Sequence, residues 1–171
     1  MVIMKLNIIT FFILTLTAFN SRSNDFYPKE KAISHIKKSL KTQQVDLIQE
    51  IEVADEFLSE NAIVIYSFKQ DNNTEINYAI FREAKGKHDK FDYLVISNSD
   101  QIVTNVRIIK YRSEHGGEIT SKKWLRQFTG YSKGKLKYKT DISAISGATV
   151  SANSITNDIP QVIDILRKTI E

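Results

Sequence analysis

The stretch AIVIYSFKQDNNTEINYAIFREAKGKHDKFDYLVISNSDQIVTNVRIIKY, residues 62–111, decides the fold. Residues 62–68 are mainly β-branched and aromatic, the composition of a buried strand. Asp71, Asn72 and Asn73 signal a turn, and residues 75–81 (EINYAIF) read as the return strand of a hairpin. Residues 85–90 are a polar loop holding Gly86 and His88. Residues 92–97 (DYLVIS) predict a third strand, Asn98, Ser99 and Asp100 a turn, and residues 102–111 a fourth strand. In that fourth strand Thr104, Val106 and Ile108 alternate with Asn105 and Arg107, which predicts one exposed face. Turns this short join antiparallel neighbours. The expectation is an α+β fold, with an antiparallel sheet over about residues 62–111 and helices packed on it.

The helices flank this segment. Ala32, Ile33, Ile36 and Leu40 recur at helical spacing over residues 28–40, Pro28 suits a first turn, and lysines fill the outer face, where His35 reads as solvated. Residues 45–58 fit helix and strand alike. A helix is expected over residues 121–129, capped by Thr120 or Ser121 and ended by Gly130, with Trp124, Leu125 and Phe128 on one face. Residues 132–139 (SKGKLKYK) put Lys133, Lys135, Lys137 and Lys139 at period two. That reads as an edge strand blunted against aggregation, with an anion-attracting stripe as the second reading. Over residues 151–170, Ile155, Ile159, Val162, Leu166 and Ile170 form a helical stripe that Pro160 should kink or split.

The beginning of the chain has a different character. Lys5 precedes an apolar run over residues 6–19, shorter than the roughly 20 residues of a membrane span, and Ser21 and Ser23 follow. This is the pattern of a secretory signal peptide over residues 1–23, leaving 24–171 as a single domain; an uncleaved N-terminal anchor is the alternative. The domain is then expected to be exported, to a periplasm or cell surface. Of the 171 residues, 24 are basic and 20 acidic. Lys5 and Arg22 leave with the leader, so the domain itself is nearly balanced and nucleic acid is not an expected partner. The absence of cysteine excludes disulfides and thiolate chemistry, and His35, His88 and His115 lie too far apart in sequence to suggest a metal site.

Residues 141–154, DISAISGATVSANS, carry the chemistry. Ile142 and Ile145 suggest a strand end, Ser146, Gly147 and Ala148 a tight turn, and Thr149 a helix start. Free N–H groups there favour an anion such as phosphate, with the Thr149 hydroxyl beside it. From the residues alone this is a candidate phosphate site.

The sequence Ser146-Gly147-Ala148-Thr149, with Ser151 two residues on, resembles the flavinylation motif of the FMN-binding domain family. This family includes the FMN-carrying subunits of the sodium-translocating NADH:quinone reductase and of Rnf-type complexes. Tyr111 to Ile119 (YRSEHGGEI) resembles the family's glycine loop, and Leu125 to Gly130 (LRQFTG) the helix after it. The resemblance implies FMN as cofactor, joined through a phosphoester to Thr149. An FAD:protein FMN transferase would install it, using magnesium and FAD and releasing AMP. It also implies a flavin site drawing on His115, Gly116, Gly117 and Glu118, with Trp124, Phe128 or Tyr111 against the ring. At one position the chain departs from the family: Ser143 stands where the motif has Asp, and the nearest carboxylate is Asp141.

The implied function is an exported electron carrier with an unidentified membrane or periplasmic redox partner, and no catalytic residues of its own. The alternatives are non-covalent FMN binding or a small flavin reductase, and an exported interaction module without flavin.

Overall fold

The computed structural model describes residues 26–58, 61–71 and 73–171. The expected leader over residues 1–23 lies outside them, as does Asn72 of the first turn. The chain begins with α1 (Lys29–Leu40) and then lays down five strands: β1 (Val45–Ile51), β2 (Ile63–Gln70), β3 (Asn77–Lys85), β4 (Lys90–Ser97) and β5 (Val103–Lys110). Every neighbouring pair is antiparallel, and the strand order in the sheet is the order in the chain. The α+β meander is as the sequence predicts, with one strand more. The ambiguous residues 45–58 supply β1 and a single 3-10 turn, Asp55–Phe57. The return strand begins at Asn77 and runs on to Lys85, so the polar loop shrinks to residues 86–89.

Both faces of the sheet are covered. Val64, Tyr66, Phe68, Ala79, Phe81, Leu94 and Ile96 pack with Ala32 and Ile36 of α1. That helix touches both edge strands, β1 and β5, so the sheet curls around it. Ile63, Ile65, Ile80, Phe91, Tyr93 and Val95 point the other way, onto the long C-terminal helix. Two-sided burial explains why β2 and β4 read as nearly continuous apolar runs. It also corrects the reading of His35. This side chain is half-buried, its ring meets Tyr27 edge-on at 5.6 Å, and its Nδ1 is buried. Burial, with Arg107 and two lysines nearby, lowers its pKa.

In β5 the alternation is displaced by an irregularity opposite Ile96 and Ser97. Val103 joins Val106 and Ile108 in the core, and Thr104 is exposed. One extra residue in a strand flips the faces on either side of it.

Residues 117–128 form a 3-10 turn (Gly117–Thr120), the short helix α2 (Lys122–Leu125) and another 3-10 turn (Arg126–Phe128). The Ser121 hydroxyl caps α2 by accepting the Trp124 N–H, and Gly130 takes a left-handed conformation at φ 88°. The expected lysine edge strand does not form. Residues 132–139 are a loop with one isolated bridge, Tyr138 to Ile142, broken by positive φ at Gly134 and Lys139. Its inward and outward sides are as expected: Leu136 and Tyr138 pack on the core and the lysines are exposed. The free edge of β5 is met instead by Gly130 and Tyr131, which exchange backbone hydrogen bonds with Val103.

The last element, α3 (Thr149–Ile170), runs unbroken for 22 residues with Pro160 inside it, so the proline does not split it. Packing of Ile155, Ile159, Val162, Ile163 and Leu166 against the sheet outweighs the one lost backbone bond. A polar link fixes the register of helix on sheet. Asp158 accepts hydrogen bonds from the Tyr93 hydroxyl at 2.6 Å and from Arg82 at 3.4 Å, and Arg82 also donates to the Asn61 carbonyl at 2.9 Å.

Burial raises Tyr27 and Tyr66 to about 12. It also raises Tyr93 well above the ordinary value, with Asp158 adding to the effect. The folded state therefore holds these protons more tightly than the unfolded state, and stability falls as pH rises from about 10 toward 12. In an alkaline absorbance titration, these three tyrosines should ionise only as the circular dichroism signal is lost. Seven phenols titrating together near pH 10 with the fold intact would contradict this burial.

Candidate functional site

Three segments meet at the N-terminus of α3. The first is the β3–β4 hairpin turn, where the Gly86 N–H donates to the Asp89 carbonyl at 2.9 Å. The second is the loop after β5, residues 111–117. The third is the turn formed by Ser146, Gly147 and Ala148. Between them lies an open cleft of about 310 Å³, lined by Lys87, His88, Tyr111, His115, Gly147 and Thr149, with Ser113, Ala148, Val150 and Ser151 completing the wall.

Glycine is required where these segments touch. Gly116 and Gly147 have φ of 87° and 80°. A Cβ on Gly116 would lie 2.6 Å from the Tyr111 hydroxyl and 3.3 Å from the Gly147 carbonyl. A Cβ on Gly147 would meet the Glu118 carboxylate at 2.8 Å. The glycine loop and the small-residue turn are therefore in backbone contact, and Glu118 lies against Gly147. Gly117 has open space around it.

Tyr111 ties the loop to the helix. Its hydroxyl donates to the His115 carbonyl at 3.0 Å and lies 3.1 Å from the Ser151 Oγ. With the Tyr111 proton committed to that carbonyl, the Ser151 hydroxyl is the donor in the second contact. Arg112 fastens the same loop from outside, pairing with buried Asp92 at 2.7 and 2.8 Å.

The two hydroxyls of α3 are in contrasting settings. Ser151 is 2% exposed and spent on Tyr111. Thr149 is exposed, opens the helix and lines the cleft. The preceding residue, Ala148, offers no side-chain cap, so the first-turn N–H groups face the cleft with the positive end of a 22-residue helix behind them. Ser146 is exposed in the turn before it.

Trp124 and Phe128 are not in the cleft. They pack edge to face at 5.4 Å within the core, 6% and 0% exposed. Trp124 acts on the site from behind, its indole N–H donating to the Ser143 carbonyl at 2.7 Å. Gln127 accepts the Ser143 N–H at 2.8 Å and donates to the Trp124 carbonyl at 3.0 Å. These bonds hold the chain leading into the turn, which has no strand of its own: Ile142 makes only the isolated bridge. The aromatic ring in the cleft wall is Tyr111. Sequence reading left Lys87 out of the site and placed His88 only in a polar loop; Gly86 was the one available sign that the hairpin turn packs closely against something.

Gly86→Ala should widen the hairpin turn, because its Cβ would lie 2.4 Å from the Asp89 carbonyl and 3.4 Å from the Ser151 Oγ. The expected loss is about 1–3 kcal/mol in denaturant unfolding. Gly117→Ala, where no atom stands within 4 Å, should stay within about 0.5 kcal/mol of wild type.

Residues 86–164 match the family model of the FMN-binding domain. No curated protein matches the chain.

Proposed function

Residues 86–164 belong to the FMN-binding domain family, and from that premise we propose that this FMN-binding protein is an exported electron carrier holding FMN by a phosphoester on Thr149. The observation that carries the proposal is the placing of the Thr149 hydroxyl: exposed, at the mouth of the cleft, on the first residue of α3.

The residues present fit the group. Free N–H groups at a helix N-terminus suit a phosphate, Lys87 adds a cation, and His88 and His115 add ring donors. The cleft lies at the low end of the roughly 300–1,000 Å³ range of small-molecule sites. FMN supplies one- and two-electron redox chemistry when bound. The chain's own residues do the rest. Thr149 Oγ would form the bond to phosphorus and lose its proton. In the transferase reaction the bond that breaks joins the FMN phosphate of FAD to AMP, so AMP departs and the atoms balance. Gly116 and Gly147 allow the two loops to close on each other, and Tyr111 presents its ring to the cleft while holding the loop to the helix. Trp124 and Gln127 fix the approach to the turn through the Ser143 backbone. The Ser143 side chain itself is exposed. Asp141, the alternative source of the motif carboxylate, is spent on its own turn, accepting the Lys137 N–H at 2.8 Å.

Thr149→Ala, co-expressed with the transferase, should lose the one-FMN mass adduct. Thr149→Ser should retain part of it, and Ser151→Ala should keep it while losing the Tyr111 contact, at a cost of about 1 kcal/mol. Yellow protein whose flavin is fully released on denaturation would favour non-covalent binding instead. If an adduct appears only after Ser143→Asp, the missing carboxylate has blocked attachment in the natural chain.

A further inference from the structure

The basic loop is left without the purpose first assigned to it. Lysines at period two are understandable on an exposed strand edge, but residues 132–139 form no strand. Lys133, Lys135, Lys137 and Lys139 are nevertheless all exposed. Lys122, Lys123 and Arg126, on α2 and the turn after it, are exposed as well. The two groups lie on neighbouring segments of the chain, within residues 122–139. The Trp124 and Gln127 bonds tie their segments together at Ser143, and beneath them Leu125, Phe128, Leu136 and Tyr138 pack into the same core.

Residues 122–141 thus carry seven basic side chains against one acid, Asp141. The whole chain has a net charge of only +4, so the remainder is net acidic. Among the described residues none of the seven is in a salt bridge. A segregated charge of one sign, with no internal partner, is an external binding feature.

We infer that this surface docks the protein on an anionic lipid bilayer. A lasting protein interface is centred on desolvated aromatic or apolar anchors. Here Trp124 is buried, and the exposed large apolar residues among those described, Leu58, Ile76 and Val150, lie outside residues 122–141. Six lysines and one arginine with no apolar anchor suit adsorption to headgroups, where the lysine stems can spread over a plane of negative charge. One end of this basic stretch adjoins the cleft in sequence, Lys122 following four residues after Glu118, which lies against Gly147 of the cleft wall. Docking would hold the cleft near the membrane, whatever its flavin is bonded to.

The test is cosedimentation of the full chain with vesicles of phosphatidylcholine alone or with about one-third phosphatidylglycerol. Neutral vesicles measure any contribution from apolar residues 6–19. Binding to anionic vesicles should exceed that baseline and return to it in ~0.5 M salt. Lys133→Gln, Lys135→Gln, Lys137→Gln and Lys139→Gln together should lower the anionic excess by about five-fold per charge. The same four changes at Lys29, Lys31, Lys38 and Lys41, exposed on and just after α1, alter net charge equally and should leave most of the excess. Equal binding to both vesicles, or equal loss in both variants, would overturn the inference. Salt-sensitive retention on an immobilised acidic protein, without any vesicle preference, would also overturn it and identify the partner as a protein.

Discussion

The carboxylate of Asp158 is the constraint from which the site follows. It lies midway along α3, 7% exposed, and a buried charge must be met by partners. Arg82 of β3 and Tyr93 of β4 meet it, and these two residues pair across the strands. One helix position is thus tied to one place in the sheet. At about 100° and 1.5 Å per residue, everything upstream is then determined. Ser151, seven residues earlier, returns to the face of Asp158 and is buried against Tyr111. Thr149, nine residues earlier, comes out on the opposite face, about 13 Å away, with its hydroxyl exposed. The choice between two nearby hydroxyls is made by helical phase, and the phase is set by an ion pair remote from the cleft.

The sheet has a matching division of labour. Its inner face curls around α1 and its outer face carries α3, so alternate residues of β3 and β4 serve different cores. Phe81 and Leu94 face α1, whereas Arg82 and Tyr93 face α3. The same two strands end in the hairpin turn that brings Lys87 and His88 into the cleft. An error of one residue in the pairing of β3 with β4 would misplace the Asp158 partners and the cleft wall together.

Most of the sheet was legible because β-branched runs and short turns are local signals. The stripe of α3 was legible because five apolar residues recur over four turns. Residues 45–51 were not, because VDLIQEI satisfies either period and only pairing with β2 decides between them. The lysine loop misled because alternation describes which side faces the core, and a loop lying flat on a core alternates as a strand does. Trp124, which the resemblance implies lies against the flavin ring, is buried and outside the cleft wall. An indole beside a turn suggests stacking, whereas its N–H found a backbone carbonyl 19 residues on. Such a bond depends on tertiary placement, which no spacing rule encodes.

The openness of the cleft bears on why an attachment point would be useful here. Its walls supply one phenol ring, one lysine, two imidazoles and a helix terminus around an open space. Suppose such a site binds FMN with Kd of about 1 μM, roughly −8 kcal/mol. It would be nearly empty wherever free FMN is nanomolar. A bond from Thr149 to the phosphate would raise the local concentration to about 1 mM, enough to fill the same weak site about 99.9% of the time. The walls then need only orient the flavin, not retain it. An open cleft also leaves a flavin edge accessible to a redox partner, which a deep and tightly binding pocket would cover. With FMN attached as proposed, shallow walls and an exposed hydroxyl would be complementary features, the bond supplying retention and the geometry access.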